Sequence, residues 1–140
     1  MEDLIEELTR GNVTEVKVVL ATVILALAIY QLVLAAVAYG RLRIRFLEAA
    51  TASWTHRAGG DAIVVLTILV ATACLSFYGF EEGGAHAVFG CVLLGAIALK
   101  ILVVRAGGRF SRFLPLLGAS VLALFGLTWL TSAGDFLGVG

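Results

Sequence analysis

VVLATVILALAIYQLVLAAVAY, residues 18–39, contains no ionisable lysine, arginine, aspartate, glutamate or histidine side chain. A helix of roughly 20 residues, rising 1.5 Å per residue, crosses a hydrocarbon core about 30 Å thick, so this stretch has the length of a membrane span. It is too long for the apolar region of a secretory signal. The residues before it, MEDLIEELTRGNVTEVK, are acidic where a signal is basic, and no cleavage is expected. Three further runs qualify, near residues 62–78, 86–104 and 113–131. All four are expected to be helices, because lipid offers the backbone no hydrogen-bond partner and no alternating barrel pattern is present.

Composition supports this reading. The chain has 140 residues, of which 61% are hydrophobic and 14% charged; its mean hydropathy is +1.04. A soluble domain needs more polar cover than that. Formal net charge is zero, so no basic excess points to nucleic acid. The expected fold is an all-α integral membrane four-helix bundle over residues 17–140. An amphipathic segment, residues 1–16, precedes it: residues 4–8 form a short surface helix, and Asn12 with Glu15 forms a capping box.

Orientation follows from the cations. Arg41, Arg43, Arg45 and Arg57 fill the first connection, and Arg105, Arg109 and Arg112 the third, with Lys100 one turn inside. These loops are expected to face the cytoplasm, which places both termini and the turn at Glu81 and Glu82 on the outer side of the inner or plasma membrane. Tyr39, Trp54, Tyr78 and Trp129 fall near span boundaries, where amphipathic rings settle. The first connection sets Leu42, Phe46, Leu47 and Ala50 against its arginines. It is expected to lie along the inner surface as an amphipathic helix, in preference to extending the second span downward.

Chemistry-bearing residues are few. If the second and third spans form a hairpin about Glu82, Cys74 and Cys91 lie at nearly equal depth; close packing is the main expectation, a disulfide or thiolate pair the alternative. His86 opens the third span and His56 precedes the second. Counting from His56 to Tyr78 gives roughly 33 Å of rise, which strands the two imidazoles at opposite surfaces and prevents them from sharing one iron. Each is expected to be an interfacial histidine bonded to a carbonyl or to lipid headgroups; alternatively each could ligate separately, or His86 could meet its counterpart in a dimer. Asp61 and Lys100 are expected to lie at similar depth as an ion pair. Gly90, Gly95, Ala96 and Ala98 in the third span, with Gly118, Ala119, Ser120, Ala123 and Gly126 in the fourth, allow backbones to approach closely, so a tight bundle is expected. Soluble-enzyme motifs are absent, so no catalytic activity of its own is expected.

Six stretches, "YQLVLAAVAYGRL" (30–42), "THRAGG" (55–60), "VATACLSFYGF" (70–80), "HAVFGC" (86–91), "GAIALKILVVR" (95–105) and "LTWLTSA" (127–133), run in an order that resembles a family of small uncharacterised bacterial membrane proteins. Its four-helix pattern is loosely similar to cytochrome b561-type proteins. That resemblance implies haem b as cofactor, with His86 and His56 as ligands. It also implies His-Cys where this chain has Ala73-Cys74, and a basic residue where it has Asp61. Three functions are expected in competition: an accessory or structural subunit of a larger respiratory or other redox membrane complex, which the scarcity of catalytic groups and the small-residue surfaces favour; a b-type haem electron carrier; and a small transporter or channel. The expected partners are membrane lipids with other membrane subunits or a second copy of the chain.

Overall fold

A computed structural model of the chain describes residues 12–78 and 84–137; the expected surface helix at 4–8 and the turn at Glu81 and Glu82 lie outside them. The described residues fold into four α-helices: α1 (Val13–Ala38), α2 (Ala49–Tyr78), α3 (Gly84–Ala106) and α4 (Leu114–Leu137), with a 3-10 turn at Gly108–Phe113 before α4. No strand occurs among them. All four helices are long and apolar enough to cross a membrane. The predicted all-α four-helix membrane fold is the observed one.

Helix α1 ends where the chain needs a left-handed residue. Gly40 has φ +68°; its N–H bonds to the Val37 carbonyl and that of Arg41 to the Ala36 carbonyl, both at 2.9 Å. This pair of bonds is the Schellman arrangement, which glycine adopts without Cβ strain. At the other end Asn12 is the N-cap, but its side chain makes no capping hydrogen bond, so the expected capping box is not formed.

The largest departure from expectation is the start of α2, at Ala49 rather than near residue 62. Residues 53–61 are polar enough to read as a connection, yet they continue the helix because α1 packs along them. Leu34, Val37 and Ala52 form a buried cluster, with Ala38, Ile44 and Leu47 against it. The first connection is accordingly short: turns over residues 39–47, closed by an isolated bridge between Ile44 and Leu47. The surface helix expected there is replaced by a downward extension of the second span. Phe46 is left 91% exposed.

Around the bundle the packing order is α2, α1, α4, α3. Helices α2 and α3 are consecutive in the chain, but their backbones hardly approach each other. Their side chains meet in the core, where Ile63 and Leu93 join Ile24, Ile97, Val121 and Phe125. Such interiors are held by van der Waals packing, since lipid is as apolar as the side chains themselves. Of the small residues in α3 and α4, Ala96 packs against the core, whereas a Cβ at Gly90, Gly95, Gly118 or Gly126 would meet nothing within 4 Å. Backbones approach along both the α1–α2 and the α3–α4 pairs, and between α1 and α2 a Cβ at Gly59 would overlap the Gln31 side-chain amide.

Candidate functional site

The imperfect closure between α2 and α3 leaves a cavity of about 660 Å³. It lies in the half of the bundle away from the arginines that follow α1 and α3. All four helices contribute to its wall: Lys17 and Ile24 from α1, Cys74 from α2, His86 and Cys91 from α3, Phe125 from α4. The volume falls within the range usual for small-molecule sites, and the lining is mainly apolar with a few polar groups, as such sites are.

His86 is fixed by α4. Its Nδ1 lies 3.2 Å from the Thr128 carbonyl and 3.3 Å from Thr131 Oγ1. A carbonyl only accepts, so Nδ1 carries the hydrogen and donates, and Nε2 of the neutral ring is a bare acceptor. The Thr131 hydroxyl itself donates to the Leu127 carbonyl at 3.0 Å. Helix α4 is in turn tied to α1: Trp129 Nε1 donates to Thr22 Oγ1 at 2.9 Å. Trp129, expected at an interface, thus lies against α1 and lines the cavity.

His56 has a different environment. It lies within α2, half-buried against Gln31 of α1, which is itself buried. The amide of Gln31 faces the His56 carbonyl, which only accepts, and the Gly60 N–H, which only donates. Its nitrogen therefore donates to the His56 carbonyl at 2.9 Å and to His56 Nδ1 at 2.5 Å, while its oxygen accepts from Gly60 at 3.1 Å. His56 Nδ1 also lies 3.2 Å from the Gln31 backbone carbonyl. The two contacts at Nδ1 demand opposite tautomers. The side-chain arrangement satisfies three contacts at once, so Nδ1 accepts and the hydrogen sits on Nε2. The two histidines thus hold opposite tautomers.

The two histidines lie at different depths. His86 shares the cavity wall with Lys17, and Gln31, which meets His56, is fourteen residues further along α1. That is about 21 Å of helix rise. They remain too far apart to share an iron, whose axial ligands sit within a few ångströms of it.

Cys74 is half-buried and Cys91 exposed; both are free thiols on the cavity wall. No disulfide joins them. Among the described residues no cluster of three or more histidine, cysteine or acidic side chains could hold a metal ion. Asp61 is exposed and Lys100 half-buried, and no ion pair between them is found among the described residues. Gln31, Thr128 and Trp129 are the site residues that counting along the sequence does not single out.

Four apolar helices around a ligand-sized cavity define a small multi-pass membrane protein. The chain belongs to a family of unknown function (DUF6529), the match running over residues 5–139. No curated protein and no solved structure matches it. The family accounts for the uncharacterised-family resemblance; nothing in these comparisons joins the chain to cytochrome b561-type proteins.

Proposed function

We propose that this protein is a non-enzymatic subunit of a larger respiratory or other redox assembly in the inner or plasma membrane, and that it holds a lipid-soluble ligand beside His86. The cavity is the observation that carries this reading. A bundle whose only task is to fill space gains from closing α2 onto α3, whereas here all four helices line a half-open cavity with a fixed imidazole in its wall. The arginine-rich end faces the cytoplasm, in keeping with the bias of lysine and arginine towards that side. Extraction from native membranes into lipid nanodiscs, followed by mass spectrometry of the intact assembly, tests the proposal. The expected result is the chain with other membrane subunits and a retained small molecule, the latter lost in Gly90→Leu, whose side chain would project into the cavity. A chain recovered alone, with the same masses in both forms, overturns it.

One observation favours a second reading, a b-type haem protein: the bare Nε2 of His86 is the form that ligates iron. Haem would supply one-electron transfer. His86 fits that role; His56 does not, since its Nε2 carries the hydrogen and it is not part of the cavity wall. A Soret band in purified protein that disappears in His86→Ala supports haem, and a colourless preparation ends that reading.

A further inference from the structure

The cavity is charged at one end and apolar at the other. Between Lys17 and Ile24 on α1, and between Ser132 and Phe125 on α4, its wall runs for seven residues, about 10 Å of helix rise. The ends match across the helices. At the apolar end Ile24, Leu93 and Phe125 belong to one core cluster, and the Thr67 hydroxyl is already given to the Ile63 carbonyl at 2.7 Å. At the other end the charge of Lys17 acts on both the His86 ring and the Cys74 thiol, and Thr131 meets the same ring. Lys17 is half-buried, and it is the one lysine or arginine among the described residues of the wall, which include no aspartate or glutamate. It also interacts elsewhere in the chain; an ammonium has three N–H donors and can hold a partner and a ligand together. The Thr128 hydroxyl has no hydrogen-bond partner in the structure, but it is buried off this surface and takes no part.

We infer that the cavity takes a single-chain amphiphile with an anionic head group, a carboxylate or a phosphate, its head at the Lys17 end and its hydrocarbon chain on Ile24, Leu93 and Phe125. The inference rests on the cavity being a ligand site and names the class of its occupant. An anion is attracted by the ammonium and forms charge-assisted hydrogen bonds with it, roughly twice as strong as neutral ones. A neutral head gains less, and a quaternary ammonium head is repelled. The apolar end calls for hydrocarbon, so a small inorganic anion fills only part of the site. Head and chain also lie in the order they have in a lipid leaflet, with the charge at the start of α1 and the apolar end deeper in the bundle. An amphiphile of that leaflet can therefore enter sideways where α2 and α3 part, without turning over.

The test is calorimetric titration of the full chain in phosphatidylcholine nanodiscs, corrected for empty nanodiscs, at a slightly alkaline pH that keeps a fatty acid ionised. The probes are decanoate, its methyl ester and decyltrimethylammonium. Decanoate is expected to bind about tenfold more tightly than the ester, and the cation more weakly than either. Lys17→Met is expected to bring decanoate down to the ester, and Lys17→Arg to keep most of the preference, which separates lost charge from lost folding. Gly90→Leu is expected to block all three. Decyl phosphate distinguishes the two sources of an anionic head: affinity above that of decanoate assigns a phosphate, and affinity below it a carboxylate. A parent chain that binds the ester or the cation as tightly as decanoate, or a preference that survives Lys17→Met, with binding still blocked by Gly90→Leu, overturns the inference and leaves the ligand site standing. If none of the compounds binds, or binding ignores Gly90→Leu, the ligand site falls as well.

Discussion

The Gln31 amide occupies the space that a side chain at position 59 would need. Glycine at 59 is what allows a buried polar group of α1 to reach the His56 ring and carbonyl on α2. Gly59→Ala forces the amide out of a three-contact arrangement, and overpacking of this kind costs about 1 to 3 kcal/mol. Thermal unfolding in a mild detergent is expected to show that loss. Gln31→Ala in the same chain is expected to recover part of it, because the two substitutions remove opposite sides of one contact. Simple additivity of the two effects would count against the arrangement.

The indole of Trp129 and the hydroxyl of Thr22 form the cross-link between the α1 and α2 pair and the α3 and α4 pair. Side-chain hydrogen bonds between membrane helices are worth about 0.6 kcal/mol on average. Trp129→Phe and Thr22→Val are each expected to destabilise, with a coupling energy of that order in a double-mutant cycle. Independent effects would mean that the two halves are held by packing alone.

How much of this was legible beforehand depended on the scale of the feature. Long apolar runs reveal the four spans because length and hydropathy suffice to specify them. The start of α2 is hidden because Ser53, Thr55, His56, Arg57 and Asp61 look like a connection, and only the opposing surface of Leu34 and Val37 explains why they remain helical. Counting from a turn placed Cys74, Cys91 and His86 near one another, and all three line the cavity. Gln31 carried a readable signal as the lone amide within an apolar span. Thr128 carried none: an orphaned hydroxyl is visible only once every neighbour's partner is known.

Leu34 is completely buried between α1 and α2. Its truncation to alanine removes the centre of the cluster that holds the polar first turns of α2 in place. A cost of about 2 to 5 kcal/mol is expected. Proteolysis is expected to reveal cutting at residues 49–57 in Leu34→Ala that the parent resists. Uniform loss of stability without local cutting would mean that α2 does not depend on this cluster for its extension.

The opposite tautomers of the two histidines give the most direct check of the site. At His86 the Thr128 carbonyl fixes the hydrogen on Nδ1; at His56 the Gln31 amide fixes it on Nε2. The ring nitrogens of a neutral imidazole differ according to which one bears hydrogen, so 15N-labelled protein in lipid is expected to give two distinct pairs of resonances at neutral or slightly alkaline pH. Gln31→Leu removes the donor to His56 Nδ1 while leaving the backbone carbonyl of residue 31 at 3.2 Å. That carbonyl then becomes the better partner, and the His56 pair is expected to convert to the His86 pattern with His86 itself unchanged. Two histidines that share one tautomer in the parent protein would remove the basis for assigning His86 alone as the acceptor in the cavity.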